Sequence, residues 1–371
     1  MRNSSTLLLT ISLPLIVIGT LQLSGCTSKK TAPTPPGGAY LSSSGGAQFD
    51  QSANFVDDTG ASIGNIASLS LNTIHRSTKD SSVIFVTAGG NGIIISYDNG
   101  KNWQTMSKPI ASVTSIVALE NDILLVSGSN EEKEGIVMRS LDRGKSWDKV
   151  LTVPAARKKK KQRIEIIKPP EPPPVSVTSL TINPFHPDKV YAATSTGDIL
   201  MGEQSGKLWH KITISQPVKK FVPSPHRDGE LLLVATGGQL IKLTDNKQET
   251  LIVIGKKTRA LDAAYVNQLP NAIFVSTASG AATSADRGET WSLLNLPIST
   301  RVAFTDAIAR VSPTNSSRLL ISINNVLFRS EDGGNSWNSL SLELPNHSIT
   351  DISIDPSNAS RVLLITRPYK N

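Results

Sequence analysis

Ser140 to Trp147 reads SLDRGKSW, and the same phrase returns as SYDNGKNW at Ser96 to Trp103, SADRGETW at Ser284 to Trp291 and SEDGGNSW at Ser330 to Trp337. The shared pattern, S-x-D-x-G-x-x-W, ends on four of the five tryptophans. The fifth, Trp209, closes GEQSGKLW from Gly202, which keeps Gly206 and Trp209 but has lost the serine and aspartate. One register for every tryptophan in 371 residues marks an internal repeat.

The physical content of the phrase is a hairpin turn. Asp98, Asp142, Asp286 and Asp332 can accept hydrogen bonds from backbone N–H groups a few residues on, with Ser96, Ser140, Ser284 and Ser330 beside them. Gly100, Gly144, Gly288 and Gly334 supply a positive φ without a Cβ penalty. Each tryptophan then opens the return strand, and its ring is expected to be buried. The combination resembles the Asp-box, or BNR, repeat of β-propellers, sialidases and sortilin-type proteins. We call the phrase the box.

Around each box the hydrophobic pattern repeats as four short strands, and first strands are expected near Ala67, Val113, Val177, Val218, Ala260, Ala303 and Ile349. Seven first strands call for seven boxes. Spacing places a sixth at Thr244 to Leu251 (TDNKQETL), with Gln248 and Leu251 in the glycine and tryptophan positions. The last unit has room for only two strands before Asn371. Ser42 to Phe49 (SSSGGAQF) puts Ser42, Ser44, Gly46 and Phe49 on box positions, so the N-terminus is expected to complete the C-terminal blade and close the ring. The expected fold is all-β: a seven-bladed propeller of four-stranded antiparallel blades over residues 39–371.

Ahead of it, residues 1–25 read as an export signal, with Arg2, an apolar run from Leu7 to Leu23, and then the lone cysteine. Leu23-Ser24-Gly25-Cys26 resembles a bacterial lipobox, which implies cleavage before Cys26 and lipidation of its sulfur. Residues 26–38 (through TSKKTAPTPPGG) form a polar, Pro/Gly-rich tether. With one cysteine, an intrachain disulfide is excluded. The implied location is the cell envelope: outer membrane or periplasm in a diderm, the outer face of the cytoplasmic membrane in a monoderm.

The formal charge of +8 is concentrated. Residues 154–175 (PAARKKKKQRIEIIKPPEPPPV) are a basic, proline-rich insertion carrying Arg157, Lys158, Lys159, Lys160, Lys161 and Arg163. Together with the N-terminus it accounts for the excess, leaving the propeller body neutral. In a four-stranded antiparallel blade the first-to-second and third-to-fourth turns share one face and the connections between blades lie on the other. The insertion is therefore expected opposite the boxes, with Lys219, Lys220, Lys256, Lys257, Arg259 and Arg301. Such a sector would attract an acidic protein segment or another polyanion, although runs of this kind are commonly plain solvated surface and Glu131, Glu132, Glu134, Asp57 and Asp58 dilute it. Nucleic acid does not fit an exported, lipid-anchored chain.

His75, His186 and His226 fall in first-to-second turns and are expected to be solvated; no metal or cofactor is expected. Sialidases and other glycosidases need a tyrosine nucleophile with an arginine cluster, or paired carboxylates. No Arg-Ile-Pro element precedes the first box, and Tyr40, Tyr97, Tyr191 and Tyr265 lie in a box or on strands. With every tryptophan in a box, aromatic platforms for sugar are also scarce. Glycan binding or hydrolysis remains the alternative.

The lipobox, repeats and blade count together resemble bacterial proteins related to the photosystem II assembly and stability factor. That resemblance implies a non-enzymatic, monomeric propeller that holds envelope or membrane proteins, with the family's basic patch corresponding to Lys219, Lys220, Lys256, Lys257, Arg259 and Arg301. The insertion at 154–175 departs from the family pattern.

Overall fold

A computed structural model describes residues 37–155, 174–244, 247–251, 258–298, 307–323, 325–342 and 344–369. It is a seven-bladed β-propeller. The expected Ala303 start of the sixth blade lies outside these residues.

Blade 2 shows the pattern: Ser112–Ala118, Leu124–Ser129, Gly135–Ser140 and Asp148–Val153, each antiparallel to the next. Blades 3 to 6 repeat it, beginning at Val177, Val218, Ala260 and Ala307. Burial explains the composition of the strands. Second strands are covered on both sides by neighbouring blades and are buried throughout, as in the apolar run Leu231–Ala235 (LLLVA) and in Leu319–Ile323 (LLISI), where Ser322 is buried too. Fourth strands form the rim and are mixed, as in Leu208–Ile212 (LWHKI).

Among the described residues the apolar core divides into seven clusters, each joining two adjacent blades and together completing the circle. The ring closes as expected. Ala39–Ser42 pairs with Val362–Pro368, which pairs with His347–Ile354, while Asp50–Gln51 supplies the rim strand.

Blade 1 departs from expectation. Its first strand is Ile74–Arg76 rather than a strand near Ala67, and its sheet has six strands. The additional pair, Asn54–Val56 and Ser62–Asn65, lies outside the rim strand Asn102–Thr105, with Asn54–Val56 running parallel to it. Ala67 and Ile66 are core residues in the connection that follows. The apolar character read there as a strand is packing of a loop.

The boxes show why their residues recur. Ser140 Oγ accepts the Gly144 N–H at 2.7 Å and donates to Asp142 Oδ1 at 2.8 Å; Asp142 in turn accepts the Ser146 N–H at 2.8 Å and its hydroxyl at 2.6 Å. Ser96, Ser284 and Ser330 repeat the serine contacts. The Ser146 hydroxyl and N–H, with Ser140, hold the Asp142 carboxyl down at about 2; Asp286 and Asp332 behave alike with Thr290 and Ser336. Gly144 has φ +86°, and a Cβ there would lie 2.4 Å from Met106 of blade 1. The positive φ is what calls for glycine, since the Met106 methyl ends a flexible side chain that can move aside.

SSSGGAQF is a working box: Ser42 Oγ accepts the Gly46 N–H at 2.9 Å and Ser44 Oγ accepts the Gln48 N–H at 3.0 Å, so Ser44 stands in for the aspartate. GEQSGKLW keeps the Trp209 Nε1 to Gly206 carbonyl hydrogen bond, 2.8 Å. The expected box at Thr244 to Leu251 is not one. Thr244 pairs with Lys247, leaving two residues between strands, and Leu251 ends the return strand opposite Leu240. Leu251 has a different role: a Cβ on Gly288 of the next blade would meet it at 2.6 Å.

The tryptophans also differ from expectation. Trp103 is fully buried, under the additional hairpin of blade 1, and donates to the Ser52 carbonyl at 2.9 Å. Trp147, Trp209, Trp291 and Trp337 are half-buried on the rim. Four rings cover a neighbour's edge rather than filling the interior.

Candidate binding face

First strands face one another around the centre of the ring and are tied blade to blade. From blade 7 through blade 2 the ties are hydroxyls: Thr350 Oγ1 donates to the Leu71 carbonyl (2.8 Å), Thr73 to Thr114 (3.1 Å) and Thr114 to Val177 (2.5 Å). From blade 4 through blade 7 they are charges. Asp262, 3% exposed, meets Lys220 Nζ and Arg310 Nη1 at 3.1 Å each, and Arg310 Nη2 reaches Asp351 Oδ1 at 2.6 Å. Burial alone would raise the Asp262 pKa, but Lys220 and Arg310 hold it below the ordinary carboxylate range. Asp262 of blade 5 and Asp351 of blade 7 are thus both clamped by Arg310 of blade 6, an arrangement suited to structure more than to proton transfer.

On the face opposite the boxes the centre opens into a cavity of about 760 Å³. Its lining comes from the connection into blade 1 (Ser70, Asn72), the starts of first strands (Ser112, Ala307, Ser348), second-to-third turns (Gly89, Gly90, Asn325) and the end of the last strand (Arg367, Tyr369). Asn325 is fixed by the Ile349 N–H (2.9 Å) and the Tyr369 hydroxyl (3.2 Å). Tyr369 is 54% exposed. Arg367 is exposed and has no ion-pair partner among the described residues. A guanidinium and a phenol ring over a pocket of hydroxyls and amides can grip an extended polar chain carrying an anionic group.

Of the residues expected to form the basic sector, Lys219, Lys220 and Arg259 are described. Lys219 and Lys220 open the first strand of blade 4 and Arg259 precedes that of blade 5; none lines the cavity. Lys220 is committed to Asp262, while Lys219 and Arg259 are exposed. Cys26, Arg157, Lys158, Lys159, Lys160, Lys161, Arg163, Lys256, Lys257 and Arg301 lie outside the described residues. The insertion's described end is anchored where Val175 N–H donates to the Lys133 carbonyl, 2.9 Å, on the second-to-third turn of blade 2. Arg367 and Tyr369 escaped the sequence reading because the last apolar run ends at Thr366; only closure of the ring carries the residues after it to the central opening.

On the box face, His75 corrects its expectation. It lies on a strand, and its Nε2 accepts the Ala118 N–H of blade 2 at 2.9 Å. Burial pushes its pKa down to about 4, so it is a neutral acceptor. His186 and His226 are in turns as expected, but each bridges to the next blade, His186 to Asp228 (2.7 Å) and His226 to the Val266 carbonyl (3.0 Å). Among the described residues no cluster of metal-ligating side chains occurs, and no helix is long and apolar enough to cross a membrane.

Among solved structures the chain is similar to YCF48 bound to D1 peptide, with TM-score 0.56 and 15% identity over 82% of this chain and 93% of that one. It is similar to YCF48 from Cyanidioschyzon merolae, with TM-score 0.54 and 16% identity over 80% and 96%. The GH74 xyloglucanase from Xanthomonas campestris matches with TM-score 0.60 and 15% identity over 86% of this chain and 54% of that one, so the chain spans about half of that enzyme. No family model and no curated protein matches the sequence. At these identities the likeness is one of fold.

Proposed function

We propose that this propeller is a non-enzymatic scaffold or assembly factor, lipid-anchored through Cys26 in the cell envelope, that captures an extended segment of a membrane or envelope protein on the face opposite the boxes. The observation that carries the reading is the cavity of about 760 Å³ at the centre of that face, with exposed Tyr369 and an exposed Arg367 guanidinium that has no ion-pair partner among the described residues at its edge. The D1 peptide named with YCF48 supports a peptide as the ligand class. The exposed Lys219 and Arg259 near the starts of first strands, together with the positive charge that Arg157 to Lys161 and Arg163 give the insertion, favour an acidic partner.

A photo-crosslinker placed at Tyr369 of the full chain in intact cells tests this. Crosslinks to envelope proteins are expected, at least tenfold weaker in Arg367→Glu, while the melting curve stays within about 1 °C of wild type because Arg367 is an exposed surface residue. Capture unchanged by Arg367→Glu would overturn the site. Hydrolysis of xyloglucan or another glycan by the purified chain would favour the glycosidase reading instead.

A further inference from the structure

The point at which the N-terminal part of the chain joins the folded body is fixed. Gly37 and Gly38 are buried. The Gly37 N–H donates to the Tyr40 hydroxyl at 3.0 Å and its carbonyl accepts from Gln51 Nε2 at 2.8 Å; the Gly38 carbonyl accepts the Thr366 N–H at 2.9 Å and the Thr366 hydroxyl at 3.2 Å. Gly37 has φ +114°, and a Cβ there would lie 2.5 Å from both the Ala67 carbonyl oxygen and His347 Nε2, so the chain is held between blade 7 and the connection into blade 1.

This point lies on the face opposite the boxes, beside the central cavity. His347 pairs with Pro368, and Ser348, Arg367 and Pro368 line the cavity. The box face is one strand away, because Ala39–Ser42 leads from Gly38 to the box at Ser42. A lipid on Cys26 would therefore pull on the cavity face. Eleven peptide units separate Cys26 from Gly37, and they reach at most about 40 Å fully extended and about 18 Å on average as a flexible coil. Size then selects what can enter. A globular domain of 100 residues has a radius of gyration of about 13 Å and fills most of such a gap, whereas an extended segment fits easily. A segment rooted in the same bilayer also meets the cavity at the raised effective concentration that tethering confers.

We propose that the cavity face is turned toward the bilayer and that its ligand is a juxtamembrane segment: the extended chain next to a membrane span of a protein in the same membrane. This rests on the proposed lipid anchor and on capture at the cavity, and adds which face meets the membrane and which partners are within reach.

The test uses the full chain, purified from membranes with its lipid and placed in vesicles that carry a headgroup acceptor dye. With the Cys26 sulfur lipidated, a single new cysteine takes the donor dye, at Asn91→Cys in an exposed turn on the cavity face or at Lys145→Cys in an exposed turn on the box face. Energy transfer to the headgroups should be at least about threefold stronger from Asn91→Cys, since a strand length of about 17–20 Å separates the two faces. Equal transfer, or the reverse order, would overturn the orientation, and so would a chain that does not stay with the vesicles. In cells, crosslinks from Tyr369 should map within about 12 residues of a membrane span, the extended equivalent of the tether's reach. Crosslinks to soluble proteins would overturn this inference and leave capture at the cavity standing; no crosslinks at all would remove both.

Discussion

Single residues carry different weight according to where the ring places them. Trp103 and Trp147 occupy the same box position, but Trp103 is fully buried beneath the hairpin Asn54–Val56 and Ser62–Asn65 whereas Trp147 is half-buried at the rim. Trp103→Ala should therefore cost about 3–5 kcal/mol and Trp147→Ala about half as much, read from urea unfolding; equal losses would contradict the burial difference. His75 gives a pH signature. Its folded pKa of about 4 lies below the ordinary 6.5, so its contribution is complete above pH 6.5 and is lost as pH falls toward 4. Between pH 7.5 and 5 this linkage is worth about 2 kcal/mol, and His75→Gln, which keeps an acceptor for the Ala118 N–H without titrating, should flatten that part of the stability profile. The box motif was legible at this scale because serine, aspartate and glycine act on their own neighbours. The state of His75 was not, since its partner sits 43 residues away on another blade.

At the scale of strands and turns, local sequence succeeded where local hydrogen bonds decide and failed where packing does. SSSGGAQF forms its turn with serine in place of aspartate because the hydroxyl of Ser44 can accept the same backbone N–H. TDNKQETL matched by spacing alone, and Thr244 pairs directly with Lys247 because a hairpin of two intervening residues needs neither serine nor glycine at box positions. The stretch near Ala67 misled in the other direction: Ile66 and Ala67 are apolar because they pack under blade 1, not because they pair in a sheet. The N-terminal strand Ala39–Ser42 lies between two partners, pairing with Asp50–Gln51 and with Val362–Pro368. Leu41→Pro removes a donor from that ladder and should cost about 3 kcal/mol or more. Limited proteolysis is the readout: cleavage near both chain ends should appear in the variant before any cut within blades 3 to 5, and a wild-type digestion pattern would mean that closure does not depend on this strand.

Across the whole molecule, stability is circular: seven apolar clusters each join two blades, and the centre is tied by hydroxyls on one side and by charges on the other. Arg310 is the hub of the charged half. Arg310→Met leaves Asp262 buried with Lys220 as its remaining cation and frees Asp351, and should destabilise the protein by about 3–5 kcal/mol in chemical denaturation. Adding Asp262→Asn and Asp351→Asn should restore part of the loss, and failure to do so would show that Arg310 acts by packing alone. The sequence by itself determined the repeat, the blade count, the closure of the ring by both chain ends and the division into a box face and a connection face, because strand periodicity and turn chemistry are local, and the box turn recurs in six of the seven blades. Only the tertiary structure decided which cations are free. It tied Lys220 to Asp262 and, among the described residues, left Arg367 without an ion-pair partner beside Tyr369 and buried Arg76 with one donor unused, since charge pairing across a closed ring depends on residues that lie far apart in sequence and meet only when first strands converge on the axis.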